Sequence, residues 1–338
     1  KRQIPASSLL AFGILLASCD NSANNIVLAS LDRSEKIDLL CADVEQVTGN
    51  LFDFKQVLPL ELCENEVEFG PEVDAQFLGA VTQTESGTVA VVNFTNGAIF
   101  DTNRTVPGVT AFRVGEQPTA IQISPVDPLY TYVSSFSPKS VQAVPTEAVI
   151  QGSSDRPIEE VRFDAGPSDL ALYERASFEP ELVDGLVVGA VSDVEYRFLY
   201  ASIPDLGQVV QIEVEIDADS GAQTLGTVTE LSLDTLGCDS VLTVPPPPSD
   251  ETDYNRICPQ DFQDRQGRFI KTVETTVPCE EGATTGPDPV SHIVDPGRPD
   301  DETDDVLLVA DANQPLIHRF ALSESGLLDV VVDAGGEA

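Results

Sequence analysis

A repeated unit of about fifty residues constrains the fold of this chain more than any other feature. Each copy opens with glycine and proline, runs into an apolar strand, and continues into two more strand-like stretches. Pro118 and Pro167, which open two successive copies, lie 167 − 118 = 49 positions apart. The copies are GEQPTAIQISP (115–125) with LYTYVSSFSPKSVQAV (129–144), DAGPSDLALYE (164–174) with FLYASIPDLGQVVQIEVEID (198–217), and GPDPVSHIVDP (286–296) with DVLLVADANQPLIHRFAL (305–322).

The pattern around these copies predicts an all-β fold. From Gln76 onward, short runs rich in Val, Ile, Leu, Tyr and Phe alternate with clusters of Gly, Pro, Asn and Asp. A period near fifty with about four short strands per unit is typical of a β-propeller. We therefore expect propeller blades over residues 76–338, with a β-sandwich as the alternative.

The number of copies predicts an incomplete propeller. TVAVVNFTNGAIFD (88–101) is an earlier copy without its first part, and DAGGEA (333–338) matches the opening of the next one. We count about three complete blades plus the start of another, whereas closed propellers typically have 4–8. The sequence is thus expected to be a fragment that lacks further blades at its carboxyl end.

The repeated units resemble the blades of YVTN-type and related seven-bladed propellers, which carry G-x-P, an apolar strand and a valine-rich strand. The resemblance covers roughly Gln76 to the end of the chain. It implies blades packed face to face, with the Gly and Pro shaping the link into each first strand. Some propellers of this type are lactonases, so the resemblance also keeps an enzymatic function as an alternative.

The amino terminus has the layout of an export signal. Lys1 and Arg2 precede the apolar run 9–16, which is too short for a membrane span of about 20 residues. The run ends in LASC (16–19), which resembles the lipobox of bacterial lipoproteins. The resemblance implies a signal peptide over 1–18, cleavage before Cys19 and lipidation of its thiol. The alternative is an ordinary signal peptide in which Cys19 is incidental.

This resemblance implies a location and a membrane partner. A lipid-anchored protein sits on a bilayer of the bacterial cell envelope without crossing it. Asp20 resembles the inner-membrane retention signal of enteric bacteria, but we favour the outer membrane or the cell surface. Residues 19–75 then form a tether and an amino-terminal cap, in which SEKIDLLCADVEQV (34–47) is expected to be a short helix or irregular.

Charge excludes one class of partner. The chain carries 57 acidic and 18 basic residues, a net charge of −39. Such a surface repels nucleic acid, and we therefore exclude nucleic acid as a partner. Solubility in a salty medium accounts for the charge better than a cation-binding role does.

The remaining cysteines predict disulfides, the usual state of thiols in an exported protein. The spacing suggests one loop closed by Cys41 and Cys63, and a second closed by two of the last three cysteines. Five is an odd number, so one thiol is free or has its partner beyond the end of the sequence. The five cysteines are Cys41, Cys63, Cys238, Cys258 and Cys279.

A long insertion interrupts the repeat at residues 236–285. It contains three of these cysteines and the proline-rich VPPPPSDETD (244–253). We interpret it as a disulfide-stapled loop on one propeller face, where it could bind a protein or small-molecule partner. A decorative insertion at a blade edge is the alternative.

The sequence gives little support for catalysis or for a bound cofactor. His292 and His318 are the only histidines, and neither belongs to a G-x-S-x-G, H-E-x-x-H or P-loop motif. We therefore name no catalytic residue. Calcium is the one cofactor candidate, because Asp217 and Asp219 in DADSG (217–221) offer hard oxygen ligands. An ordinary hairpin turn explains the same five residues.

Taken together, these features predict a membrane-anchored lipoprotein whose propeller is a binding or scaffold module for protein or small ligands. A lactonase-like enzyme and a calcium-stabilised structural surface protein are the alternatives.

Overall fold

The chain is all-β in a computed structural model, as the repeat predicts. The structure describes residues 31, 33–48, 51–58, 60–64, 69–70, 73–103, 110–126, 129–184, 186–217, 221–233, 241–243, 273–274, 288–295, 305–312, 316–323, 326 and 329–330. These residues form nineteen strands in four antiparallel sheets, with two short α-helices and one 3₁₀ turn. None of the helices in these ranges is long and apolar enough to cross a membrane.

Sheet 1 has the strand order β2-β1-β3-β4-β5. Helix α1, Leu60–Glu64, follows β2. The strands are β1 (Ile37–Thr48), β2 (Leu51–Leu58), β3 (Ala75–Gln83), β4 (Thr88–Asn93) and β5 (Phe112–Arg113).

Sheets 2 and 3 are four-stranded meanders in which each strand pairs with the next along the chain. Helix α2, Thr146–Gln151, leaves sheet 2 after β8, and the 3₁₀ turn Pro204–Leu206 joins β11 to β12. Sheet 2 contains β6 (Glu116–Ile123), β7 (Tyr130–Ser137), β8 (Ser140–Pro145) and β9 (Glu159–Arg162). Sheet 3 contains β10 (Asp169–Val183), β11 (Leu186–Ile203), β12 (Gln208–Ile216) and β13 (Gln223–Ser232).

Sheet 4 is built around the meander β16-β17-β18, and two short strands extend it. Strand β14 pairs with the first half of β18, and β19 pairs with the second half on the same edge. The strands are β14 (Val241–Thr243), β15 (Val273–Glu274), β16 (Pro289–Asp295), β17 (Val306–Asp311), β18 (Leu316–Ala321) and β19 (Asp329–Val330).

The predicted strand runs are found where the repeat places them. The Gly-Pro segments of the three copies lead into β6, β10 and β16, the first strands of the meanders in sheets 2, 3 and 4. The alternation of side chains along a strand explains how these runs pack, because neighbouring residues face opposite sides of a sheet. Ala120 and Ile121 on β6 enter different hydrophobic cores, and so do Leu199 and Tyr200 on β11.

Three hydrophobic cores link the sheets in chain order. The first lies between sheets 1 and 2, the second between sheets 2 and 3, and the third between sheets 3 and 4. Sheets 2 and 3 are therefore covered on both faces, which explains the nearly continuous apolar runs in their strands. Each core takes aromatic or branched side chains from both of its sheets, as with Val91 and Val133 in the first and Phe198 and Phe320 in the third.

The structure differs from the expectations at three places. The segment 34–47, expected to be a short helix or irregular, contains most of β1, whose residues Leu40, Ala42 and Val44 alternate into the first core. Four sheets are present among the described residues instead of about three units, because β1 and β2 complete the early copy. Within the insertion 236–285, the described residues are strands that extend sheet 4.

Candidate functional site

A cavity of about 360 Å³ lies where the first strands of the sheets meet. Strands β1, β6, β10 and β16 are neighbours there, and β2 and helix α1 close one side. A pocket with mostly apolar walls and a few polar groups is the usual form of a small-molecule site. Its lining residues are Asp38, Leu39, Leu40, Cys41, Val57, Leu58, Leu60, Gln122, Ile123, Pro125, Leu172, Tyr173, Glu174 and Val294.

Asp38 brings a carboxyl group to the cavity wall. Its Oδ2 accepts a hydrogen bond from the backbone N–H of Ile123 at 2.6 Å, and its Oδ1 accepts one from the N–H of Leu39 at 2.9 Å. Burial raises the pKa of the Asp38 carboxyl, and the two backbone donors oppose that effect. Among the described residues, no lysine or arginine forms an ion pair with it.

Glu174, the second acid of the wall, is paired. Its Oε2 contacts Nε of Arg197, and Ser124 Oγ donates to the same oxygen at 2.9 Å. Arg197 is only 1% exposed and also donates to Ser124 Oγ at 2.6 Å. Burial raises the pKa of Glu174 even so, although the Arg197 charge acts in the opposite direction. Glu174 and Arg197 face each other across β10 and β11 of sheet 3, and the hydrogen bonds to Ser124 and to Tyr132 of β7 link the pair to sheet 2.

Tyr173 ties the cavity wall to sheet 4. Its hydroxyl donates to Asp305 Oδ2 at 2.6 Å and lies 2.9 Å from the hydroxyl of Tyr196. Burial, with the hydrogen bond to Asp305 as a further cause, raises the pKa of Tyr173 far above its usual value. The phenol is therefore a neutral hydrogen-bond donor at physiological pH, and its proton is already used inside the protein.

His292, one of the two histidines of the sequence, is buried next to this region and has structural partners. Its Nε2 lies 2.8 Å from the carbonyl oxygen of Tyr200, so Nε2–H is the donor, and Nδ1 accepts from Ser202 Oγ at 2.7 Å. Burial lowers the pKa of His292 to about 4. The imidazole is thus neutral, with both nitrogens engaged, which does not suit a general base.

Asp169 connects three sheets beside His292. Its Oδ1 lies 3.0 Å from Lys36 Nζ at the start of sheet 1, and its Oδ2 accepts from Ser291 Oγ at 2.8 Å and from the backbone N–H of His292 at 3.1 Å. The carboxylate is buried while the lysine is partly exposed. This contact holds the first strands of sheets 1, 3 and 4 together.

The second histidine, His318, and the calcium candidate Asp217 do not line the cavity. His318 Nε2 lies 3.3 Å from Asp311 Oδ2, and both residues belong to sheet 4. Its Nδ1 has no hydrogen-bond partner among the described residues. Asp217 is in the turn between β12 and β13, where Gly221 N–H donates to its carbonyl oxygen at 2.8 Å. Residues 218–220 of this turn, with the second calcium candidate Asp219, lie outside the described residues.

Several candidates lie outside the described residues. Within those residues, no group of three or more His, Cys, Asp or Glu side chains is placed to hold a metal ion. Cys41 and Cys63 form the predicted disulfide, with their Cα atoms 5.6 Å apart. The candidates outside are Cys19, Asp219, Cys238, Cys258 and Cys279.

The sequence reasoning missed the charged residues that surround the cavity. Asp38, Glu174 and Arg197 each stand inside or next to an apolar run, as in KIDLLC (36–41), LALYE (170–174) and EYRFLY (195–200). A charged residue within such an apolar run is the signal that could have indicated a buried polar site, because charged residues are almost never fully buried unless they are paired. The repeat draws attention to glycine and proline instead.

Two other cavities are less informative. The larger, about 670 Å³, is bordered by Asn103 and Thr110, and the residues between these two lie outside the described ranges. The smaller, about 290 Å³, is a shallow apolar depression on the outer face of sheet 1, beside Ile37 and Phe94. The larger one is bordered by Gln151, whose Oε1 accepts the backbone N–H of Phe54 at 3.3 Å.

Comparisons with known proteins identify no relative. The chain matches no protein-family model, no curated protein and no solved structure.

Proposed function

We propose that this protein is a lipoprotein of the bacterial cell envelope, anchored through Cys19, whose sheets are the blades of a propeller that binds a small ligand at its centre. The observation that carries the binding role is the cavity of about 360 Å³ between the first strands of the sheets. In β-barrels, small-molecule sites are found at the mouth, where strands enclose a common space.

The arrangement of the sheets supports the propeller. A two-layer β-sandwich has one core between two sheets, whereas here three cores separate four sheets in chain order. Sheets 2 and 3 are four-stranded meanders, the strand order of a propeller blade. Contacts between the first strands, such as that of Lys36 and Asp169, fit blades that share an axis.

The state of the polar groups favours binding over catalysis. His292 is neutral with both nitrogens used, and the charges of Glu174 and Arg197 are paired with each other. A general base needs a free site within hydrogen-bond reach of a substrate. Among the described residues the cavity instead offers apolar walls and one carboxylate without a cation.

The anchor is tested by replacing the predicted lipidation site. In a bacterial host supplied with labelled palmitate, we expect the wild-type chain to take up label and to sediment with membranes. The Cys19→Ser variant should do neither, because the serine hydroxyl cannot replace the thiolate that accepts the lipid. Ser18→Ala keeps a small residue before the cysteine and should behave as wild type. A Cys19→Ser chain that remains in the membrane pellet would sink the lipoprotein assignment.

A further inference from the structure

We propose that the central cavity binds small organic amines in their protonated form, with Asp38 as the carboxylate that holds the ammonium group and the apolar walls holding the rest of the molecule. This inference rests on the proposed binding function and names its ligand class.

The first argument is the composition of the cavity wall. Apolar side chains come from every element around it, including Leu40 and Leu58 of sheet 1, Ile123 of sheet 2, Leu172 of sheet 3 and Val294 of sheet 4. Such walls select a ligand with an apolar body, since removing apolar surface from water is favourable. A volume of about 360 Å³ is within the range of small-molecule sites.

The second argument is the unequal state of the polar groups. Glu174 is paired with Arg197, and the Tyr173 hydroxyl donates to Asp305, so both already have their partners. Asp38 receives two backbone N–H groups, whereas a carboxylate can accept about four hydrogen bonds. It is the one acid of the wall without a cation among the described residues.

The third argument is that an ammonium group supplies what Asp38 lacks. It carries a compensating positive charge and N–H donors, and charge-assisted hydrogen bonds are the stronger kind. The raised pKa of Asp38 agrees with a partly buried carboxyl that has no cation beside it among the described residues. A metal ion is a poorer match, because no group of three or more His, Cys, Asp or Glu side chains is placed to hold one in the described residues.

The charge of the whole molecule supports the same ligand class. A net charge of −39 raises the local concentration of cations and disfavours anions. An apolar acid of the same size would meet repulsion both at the surface and at Asp38.

The test uses three probes of matched shape: phenethylamine, phenethyl alcohol and hydrocinnamate. Binding to the full chain in a non-ionic detergent is measured by titration calorimetry, with detergent alone as the blank. We expect the amine to bind at least about tenfold more tightly than the alcohol, and the carboxylate to bind most weakly. Equal affinity for amine and alcohol, or no binding of the amine, would overturn the proposal.

Three variants locate the site. Asp38→Asn should reduce the preference for amine over alcohol to near unity, whereas Asp155→Asn, which changes an exposed carboxylate, should leave it unchanged. Leu39→Trp adds bulk at the cavity rim and should weaken both probes while leaving their ratio intact. If Asp38→Asn keeps the preference for the amine, the assigned carboxylate is wrong.

A pH series covers the case in which Asp38→Asn does not fold. In the wild type, the amine preference should disappear as acid protonates Asp38, while alcohol binding persists until the protein unfolds. A preference that survives acidification would contradict the role of Asp38. These results are independent of the membrane fractionation, so loss of the amine site and loss of the lipid anchor are told apart.

Discussion

At the scale of single residues, buried charges and their partners set the chemistry of the centre. Arg197 contacts Glu174 and donates to Ser124, and its guanidinium is buried between sheets 2 and 3. Breaking such a pair leaves an uncompensated charge in the interior, which is strongly destabilising. The pair therefore fixes Glu174 as part of the wall and leaves Asp38 as the carboxylate open to a ligand.

His292 gives a prediction on the dependence of stability on pH. Burial lowers its pKa to about 4, with Lys36 acting in the same direction and Asp169 in the opposite one. In the unfolded chain the His292 imidazole takes up a proton near pH 6.5, whereas in the folded protein it does so only near pH 4. The free energy of unfolding therefore keeps its full value above pH 6.5 and falls as the pH drops from 6.5 towards 4. The effect amounts to at most about 3 kcal/mol.

Urea unfolding at several pH values, with His292→Gln beside the wild type, measures this effect. The glutamine side chain in this variant has an amide N–H that can donate to the Tyr200 carbonyl, but it does not titrate. The difference in unfolding free energy between the wild type and the variant should shrink on acidification, by at most about 3 kcal/mol. Parallel pH profiles would show that His292 does not remain neutral inside the fold.

The residue scale also shows what the sequence could not predict. Asp38 belongs to the wall because its carboxyl accepts the N–H of Ile123, which is 85 positions away along the chain. Burial of a strand residue depends on which sheet packs over it, and local sequence carries no such information. The partners of His292, Ser202 and the Tyr200 carbonyl, come from the distant strand β11 in the same way.

At the scale of elements, the disulfide joins α1 to the middle of sheet 1. Cys41 is buried on β1 and lines the cavity, and Cys63 belongs to the helix that also brings Leu60 to the wall. A crosslink across 22 positions restricts the unfolded chain and holds this side of the cavity in place.

We expect the double variant Cys41→Ala/Cys63→Ala to lose about 3 kcal/mol of unfolding free energy. Chemical unfolding measures the loss, and amine titration reports on the cavity, where weaker binding should accompany the freed helix. The matched control is Asp155→Asn, which changes neither quantity. A double variant with wild-type stability would show that the disulfide does not constrain the chain as described.

The elements differ in how well the sequence predicts them. Strands β6, β7 and β8 follow directly from short apolar runs bounded by glycine, proline and serine. Strand β1 does not, because the apolar residues of its sequence fit both helical and strand spacing, and its pairing with β2 and with β3 decides between them. Strand β14 is equally unpredictable, since its partner β18 is far along the chain.

At the scale of the whole molecule, four sheets pack in a series, and the two end sheets each have an outward face. Ile37 and Phe94 on sheet 1 are about half exposed, and Ile293 on sheet 4 is 63% exposed. The all-β class and the repeat of strands could be predicted from composition and period alone. The number of sheets could not, because the first one is completed by strands that carry no copy of the repeat.

The central claim is that first strands from different sheets enclose one cavity, and a crosslink across that cavity tests it most directly. Leu39 of sheet 1 and Val294 of sheet 4 both line the cavity. With cysteine at both positions of the full chain, a short bis-maleimide should join them, and mass spectrometry should find the linked peptides. The parent chain with its own six cysteines gives the background.

The matched control pairs position 39 with Val228→Cys. Val228 is 38% exposed, close to the 37% of Leu39, but it lies on β13. Strand β13 is the third strand outward from β10 in sheet 3. At a spacing of about 4.8 Å per strand, β13 lies about 14 Å from β10. We predict a link between positions 39 and 294 and none between 39 and 228. If a mono-maleimide labels positions 39 and 294 but the bis-maleimide does not join them, the first strands do not enclose a common cavity and the account is wrong.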